Sequence, residues 1–115
     1  MTDVPDGVVA EADEATFGTL VLEASGPVLV AFSAEWCVPC RLVDPVVAEL
    51  AATYRGRLRV VRVDTDAHPG LATTHGVDSI PSLQVFAAGS LVRTVVGAQP
   101  KPELVALVEG VLAAG

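Results

Sequence analysis

The sequence predicts an α/β domain: a βαβαβα run followed by a β-hairpin and one more helix. Val28 to Phe32, wholly apolar, and Leu58 to Val63, rich in Val, suit short strands in the interior of a sheet. After the first of them, Leu42, Val46, Leu50 and Tyr54 recur every four residues, the spacing of a helix face. Leu83 to Ala87 and Leu91 to Val96 are separated only by Ala88, Gly89 and Ser90, which is hairpin spacing. Strands alternating with helices pair in parallel through right-handed crossovers, whereas hairpin partners run antiparallel, so the sheet is expected to be mixed.

In order along the chain, Met1 to Asp6 are expected to fray and Val8 to Glu11 to form a short first strand. Asp13 can cap a helix that carries Phe17, Leu20, Val21 and Ala24 on one face and ends at Ser25-Gly26, with Gly26 in the left-handed cap. The helix after the next strand runs to about Tyr54, with Leu42, Val43, Val46, Val47, Leu50 and Tyr54 inward and Arg41, Asp44 and Glu49 outward. Pro45 deprives it of one hydrogen bond, so a bend is expected near Arg41. Asp64-Thr65-Asp66 offers capping side chains for a short helix that stops at Gly76. Pro102 can open a final helix whose stripe is Leu104, Leu107, Val108, Val111 and Leu112.

Composition narrows the function. Seven Lys and Arg against fourteen Asp and Glu give a net charge of −7, which opposes a phosphate backbone, so no nucleic-acid partner is expected. Arg55, Arg57, Arg59 and Arg62 cluster, but around a turn and a strand, and read as a solvated edge. No apolar stretch approaches the roughly eighteen residues of a bilayer span, and the acidic N-terminus lacks a secretory pattern, so the expected setting is the cytoplasm, away from membranes. A chain of 115 residues is expected to be one domain, residues 1–115, acting as a monomer.

The two cysteines, Cys37 and Cys40, sit where a strand becomes a helix. Two cysteines make no structural framework, so the pair reads as catalytic or metal-binding. Unpaired N–H groups and the positive dipole end at a helix start favour a thiolate at Cys37. Cys40, three residues on, shares its face at a Cβ separation of about 5–6 Å, within adjustment of disulfide geometry. Pro39 costs nothing in a first turn and leaves the amide of Cys40 free to point at the Cys37 sulfur. Zinc needs two further ligands, and the only histidines, His68 and His75, follow a helix start that lies away from the cysteines and read as surface residues. A dithiol that opens and closes, with no metal and no organic cofactor, is the expected chemistry.

The element order, AEWCVPC at the first strand-to-helix junction, Phe17, Pro45, VDTDAHPG at 63–70, the SIPS segment around Pro81, and the glycines at 89 and 97 together resemble the thioredoxin family over nearly the whole chain. The resemblance implies the thioredoxin fold, a central mixed five-stranded sheet flanked by four helices. It further implies a cis bond at Ile80–Pro81 beside the dithiol, and a substrate groove bordered by Trp36, Ile80, Pro81 and Gly97. The implied activity is protein-disulfide reduction, with disulfide-containing proteins as substrates and a thioredoxin reductase as electron donor.

Three residues depart from the common family pattern. Ala31 stands where a buried aspartate is usual, Ser33 where many members carry tryptophan, and Val38 replaces a glycine. Arg62, matching a frequent lysine, loses the carboxylate partner the aspartate would supply. Without that aspartate Cys40 is expected to lack its internal proton acceptor, and Ala31→Asp to speed its reaction at some cost in stability. The same departures keep open a second reading, a binding or holdase-type module with slow or no redox turnover.

Overall fold

The structure is a computed structural model that describes residues 6–114; of the stretch expected to fray, Met1 to Asp6, all but Asp6 lies outside it. Five strands form one sheet in the order β1-β3-β2-β4-β5, with β1 Ala10–Glu11, β2 Val28–Ser33, β3 Arg59–Asp64, β4 Ser82–Ala87 and β5 Ser90–Val96. β2 pairs parallel with β3 and antiparallel with β4, so the sheet is mixed as expected. A single wide helical turn, Gly18–Leu22, and the helices α1 Val38–Thr53, α2 Pro69–Thr74 and α3 Lys101–Ala114 flank it.

β2 is the central strand, and all six of its residues are buried. Its alternation divides the core in two. Leu29 and Ala31 pack with Val43, Val47 and Leu50 of α1 and Leu104 and Val108 of α3, while Val28, Val30 and Phe32 pack with Phe17, Leu20 and Val21 on the opposite face. Each large apolar side chain withdrawn from water here contributes about 1.5–3 kcal/mol. Tyr54 closes α1 onto α3 by donating its hydroxyl to Glu109 at 2.6 Å, and that bond raises the tyrosine pKa.

Several elements differ in detail from their sequence reading. Asp13 does cap a turn, accepting the N–H groups of Ala15 and Thr16 at 2.9 Å. The Thr16 hydroxyl first, then the backbone bonds, hold its carboxyl below the ordinary range. The helix beyond is one turn closed by a bond from Glu23 N–H to the Gly18 carbonyl, five residues back, and it ends at Leu22. Gly26 is not in the left-handed region. Gly89 meets that turn instead: at φ 82°, a Cβ added there would lie 2.6 Å from the Leu22 carbonyl oxygen. Ala88 and Gly89 both have positive φ and form a two-residue hairpin turn, with Ser90 already paired to Ala87. Asp64 caps the turn before α2 through the N–H groups of Asp66 and Ala67, while α2 itself starts at Pro69.

In α1, which runs unbroken through Pro45, Leu42 is 69% exposed and outside the core. A strict four-residue repeat overshoots the 3.6-residue turn, so Leu42 has rotated away from the face that buries Leu50 and Tyr54. Three of the four clustered arginines have local partners: Arg59 donates to the Leu20 carbonyl at 2.8 Å, Arg57 lies over the Tyr54 ring, and Arg62 pairs with Glu11 at 3.3 Å.

His75 is only partly at the surface. Its ring lies 4.5 Å from that of Phe17 and edge-on to Phe86, and burial pushes its pKa below the ordinary value. In the unfolded chain the same imidazole binds a proton below about pH 6.5. Because the folded pKa is depressed, the unfolded state takes up more protons in that range, and stability falls as pH drops through it. Urea unfolding at pH 7.5 and 5.5 is expected to give a lower midpoint at 5.5, with a smaller drop in His75→Leu; an equal drop in the variant would remove His75 as a cause.

Candidate active site

The C-terminal end of β2 delivers the chain through Ala34, Glu35 and Trp36 to Cys37, which caps α1 with extended backbone, φ −80° and ψ 108°. Cys37 and Cys40 are joined as a disulfide with Cα atoms 5.3 Å apart. The Cys37 sulfur accepts the N–H of Cys40 at 3.3 Å, the arrangement expected from Pro39 in the first turn. Cys40 is fully buried and Cys37 nearly so, within a small cluster with Ala34 and Ile80.

Only Cys37 of the two lines a groove of about 650 Å³, walled by Trp36, Val38, Pro39, Val77 and Ile80, with Asp78 and Ser79 at its side. The Ile80–Pro81 bond is cis, and the Ile80 carbonyl oxygen lies 3.9 Å from the Cys37 sulfur. Gly97, at φ 94°, donates its N–H to the Pro81 carbonyl at 2.9 Å, which ties the end of β5 to the segment that carries the cis bond. Trp36 is 63% exposed, and its indole N–H donates to Asp66 at 2.5 Å, which holds the ring beside Cys37. The residues singled out in the sequence, Trp36, Cys37, Cys40, Ile80, Pro81 and Gly97, are therefore gathered at one end of the sheet. His68 and His75 are not among them: His68 pairs with Glu14 at 2.7 Å and His75 lies among the phenyl rings.

One residue was misplaced by the sequence reading. Asp44, assigned to the outer side of α1, is half-buried, and its carboxylate accepts the hydroxyl of the buried Ser33 at 3.3 Å. The signal was available: a serine inside an apolar buried strand needs a polar partner.

A sheet that ends in a reversible dithiol at a helix start, open to a groove through one sulfur only, defines a thiol–disulfide exchange protein. The thioredoxin family model matches residues 8–110, and the chain belongs to the thioredoxin family. It is 52% identical over 97 residues to Thioredoxin 1 of Synechococcus elongatus, covering 84% of this chain and 91% of that protein. It is 48% identical to Thioredoxin 1 of Nostoc sp., covering 83% and 89%, and 47% identical to the chloroplastic M-type thioredoxin of Chlamydomonas reinhardtii, covering 82% and 67%. It is thus a thioredoxin-type dithiol oxidoreductase. Among the described residues no helix is long and apolar enough to cross a membrane.

Proposed function

We propose that the chain works as a protein-disulfide reductase in which Cys37 is the attacking and Cys40 the resolving thiol. The observation that carries the assignment is the asymmetry of exposure to the groove, which Cys37 lines and Cys40 does not. The Cys37 thiolate attacks one sulfur of a substrate disulfide; that bond breaks, a mixed disulfide forms, and the released substrate thiolate takes a proton from solvent. Cys40 then loses its proton and attacks Cys37, the Cys37–substrate bond breaks, and the internal disulfide closes. Two electrons have passed from the dithiol to the substrate.

Trp36, Ile80, Pro81 and Gly97 form the substrate rim, where an extended segment of a disulfide-containing protein would lie. A thioredoxin reductase would return the electrons, and a reducing compartment, the cytoplasm, suits a chain that spends neither cysteine on a structural bridge. The test is insulin-disulfide reduction with NADPH and a thioredoxin reductase. Sustained turnover is expected; none, in a protein that still binds unfolded chains, would favour the scaffold reading.

The same geometry sets the order of alkylation. In the reduced protein near neutral pH, iodoacetamide is expected to label Cys37 first, because its sulfur receives a helix-start N–H and faces the groove. Peptide mass mapping of singly labelled protein checks this, and faster labelling of Cys40 would reverse the assignment.

A further inference from the structure

The fold leaves Cys40 with a problem of proton transfer. Its side chain has no exposed surface, yet it reacts only as a thiolate. Ala31, on the strand beneath, offers no acceptor. Ser33 is two residues further along β2, on the same face and about 7 Å nearer the dithiol end. It is the one polar side chain that β2 buries, and it donates to Asp44 at 3.3 and 3.5 Å. Asp44 is four residues beyond Cys40 on α1, so the two share a helix face, and side chains on a helix lean toward its N-terminus, here toward the turn that holds Cys40.

We infer that Asp44, held by the Ser33 hydroxyl, is the group that accepts the Cys40 proton in the second step, with Ser33 as its positioning residue. The inference rests on Cys40 being the resolving thiol. The carboxylate takes the proton directly or through one water, the Cys40 thiolate attacks Cys37, and the half-exposed carboxyl then returns the proton to solvent. The internal acceptor missing at residue 31 is thereby supplied from α1 instead of from β2.

The charged groups nearest Ala31 and Ser33 on the neighbouring strands, and those on the facing helices that have recorded partners, are engaged elsewhere. Arg62, in register with Ala31, pairs with Glu11 of β1; Asp64, in register with Ser33, accepts the Asp66 and Ala67 N–H groups. Arg41 donates to the Glu35 carbonyl, and Lys101 of α3 pairs with Glu49. On β4, Leu83 and Val85 face Ala31 and Leu29 and carry no charge, and Arg93 of β5 is exposed and turned onto the Val92 carbonyl.

The reduced protein mixed with 5,5′-dithiobis(2-nitrobenzoate) in a stopped-flow instrument releases thionitrobenzoate twice: once when Cys37 attacks the reagent and once when Cys40 resolves the mixed disulfide. Asp44→Asn is expected to leave the first phase within about twofold. It should slow the second by at least about tenfold at pH 7, and by as much as the 10²–10⁴ typical of general acid–base catalysis, and turn its pH profile into a continuous rise with hydroxide. Ser33→Ala is expected to slow the second phase by less, Asp44→Glu to recover part of it, and Asp64→Asn to leave it unchanged. An unaltered second phase in Asp44→Asn, or equal slowing of both phases, would overturn the inference. If Asp44→Asn does not fold, an unaltered second phase in Ser33→Ala overturns it likewise. A wild type whose first phase comes from Cys40, shown by mass mapping of the trapped adduct, would refute the thiol assignment itself.

Discussion

Cys37→Ser is expected to bring disulfide reduction down to the rate of the uncatalysed exchange, and Cys40→Ser to stop turnover at a trapped intermediate. The two losses look alike in a steady-state assay and differ completely in what accumulates. Without the Cys37 sulfur, the groove has no nucleophile, because the remaining sulfur has no exposed surface and does not line it. Without Cys40, the first displacement still occurs, since the helix-start N–H groups and the groove remain, but nothing attacks the mixed disulfide. Non-reducing electrophoresis of each variant mixed with a disulfide-containing protein separates the cases. A thiol-sensitive adduct is expected with Cys40→Ser and none with Cys37→Ser. Equal adducts from both would mean that either sulfur can initiate exchange, and the single-sided groove would then carry no mechanistic weight.

The parts of this site that were legible in the sequence are those set by local rules. The period change around Cys37 and a proline at no cost in a first turn place both sulfurs at a helix start, and the structure has Cys37 as the cap. The mixed sheet followed from one crossover pattern and one hairpin. What was not legible depends on rotation and on distant partners. Leu42 and Asp44 lie only two residues apart, yet the repeat assigned the apolar one inward and the acid outward, whereas packing exposes Leu42 and half-buries Asp44 against Ser33. His75 was read from its place near a helix end, but Phe17 and Phe86 reach it from other elements. The short turn at Gly18–Leu22 likewise meets the hairpin at Gly89, a contact between residues far apart in the chain.

Ala31→Asp is expected to lower the unfolding free energy at pH 7 by about 2–6 kcal/mol, combining a poorly partnered buried carboxyl at about 1–3 kcal/mol with overpacking at about 1–3. Ala31 is 3% exposed and packs against Val43, Val47 and Leu83, none of which offers a hydrogen bond. Arg62 stands opposite in register but is already paired with Glu11. Burial raises the pKa of a carboxyl, so the folded variant would hold its proton to higher pH than the unfolded chain, which ionises near pH 3.9. Above that pH the unfolded state binds fewer protons than the folded one, and the deficit in stability grows until pH passes the folded pKa. Denaturant unfolding of both proteins is therefore expected to show a larger difference at pH 7 than at pH 4. With Asp44 in place, resolution of the mixed disulfide gains little from the new acid; in an Asp44→Asn background the same substitution should restore much of the lost rate. A variant as stable as the parent at pH 7 would mean that residue 31 has polar partners or water that the packing around Ala31 does not provide. A large rate gain in the parent background would mean that Asp44 is not serving Cys40.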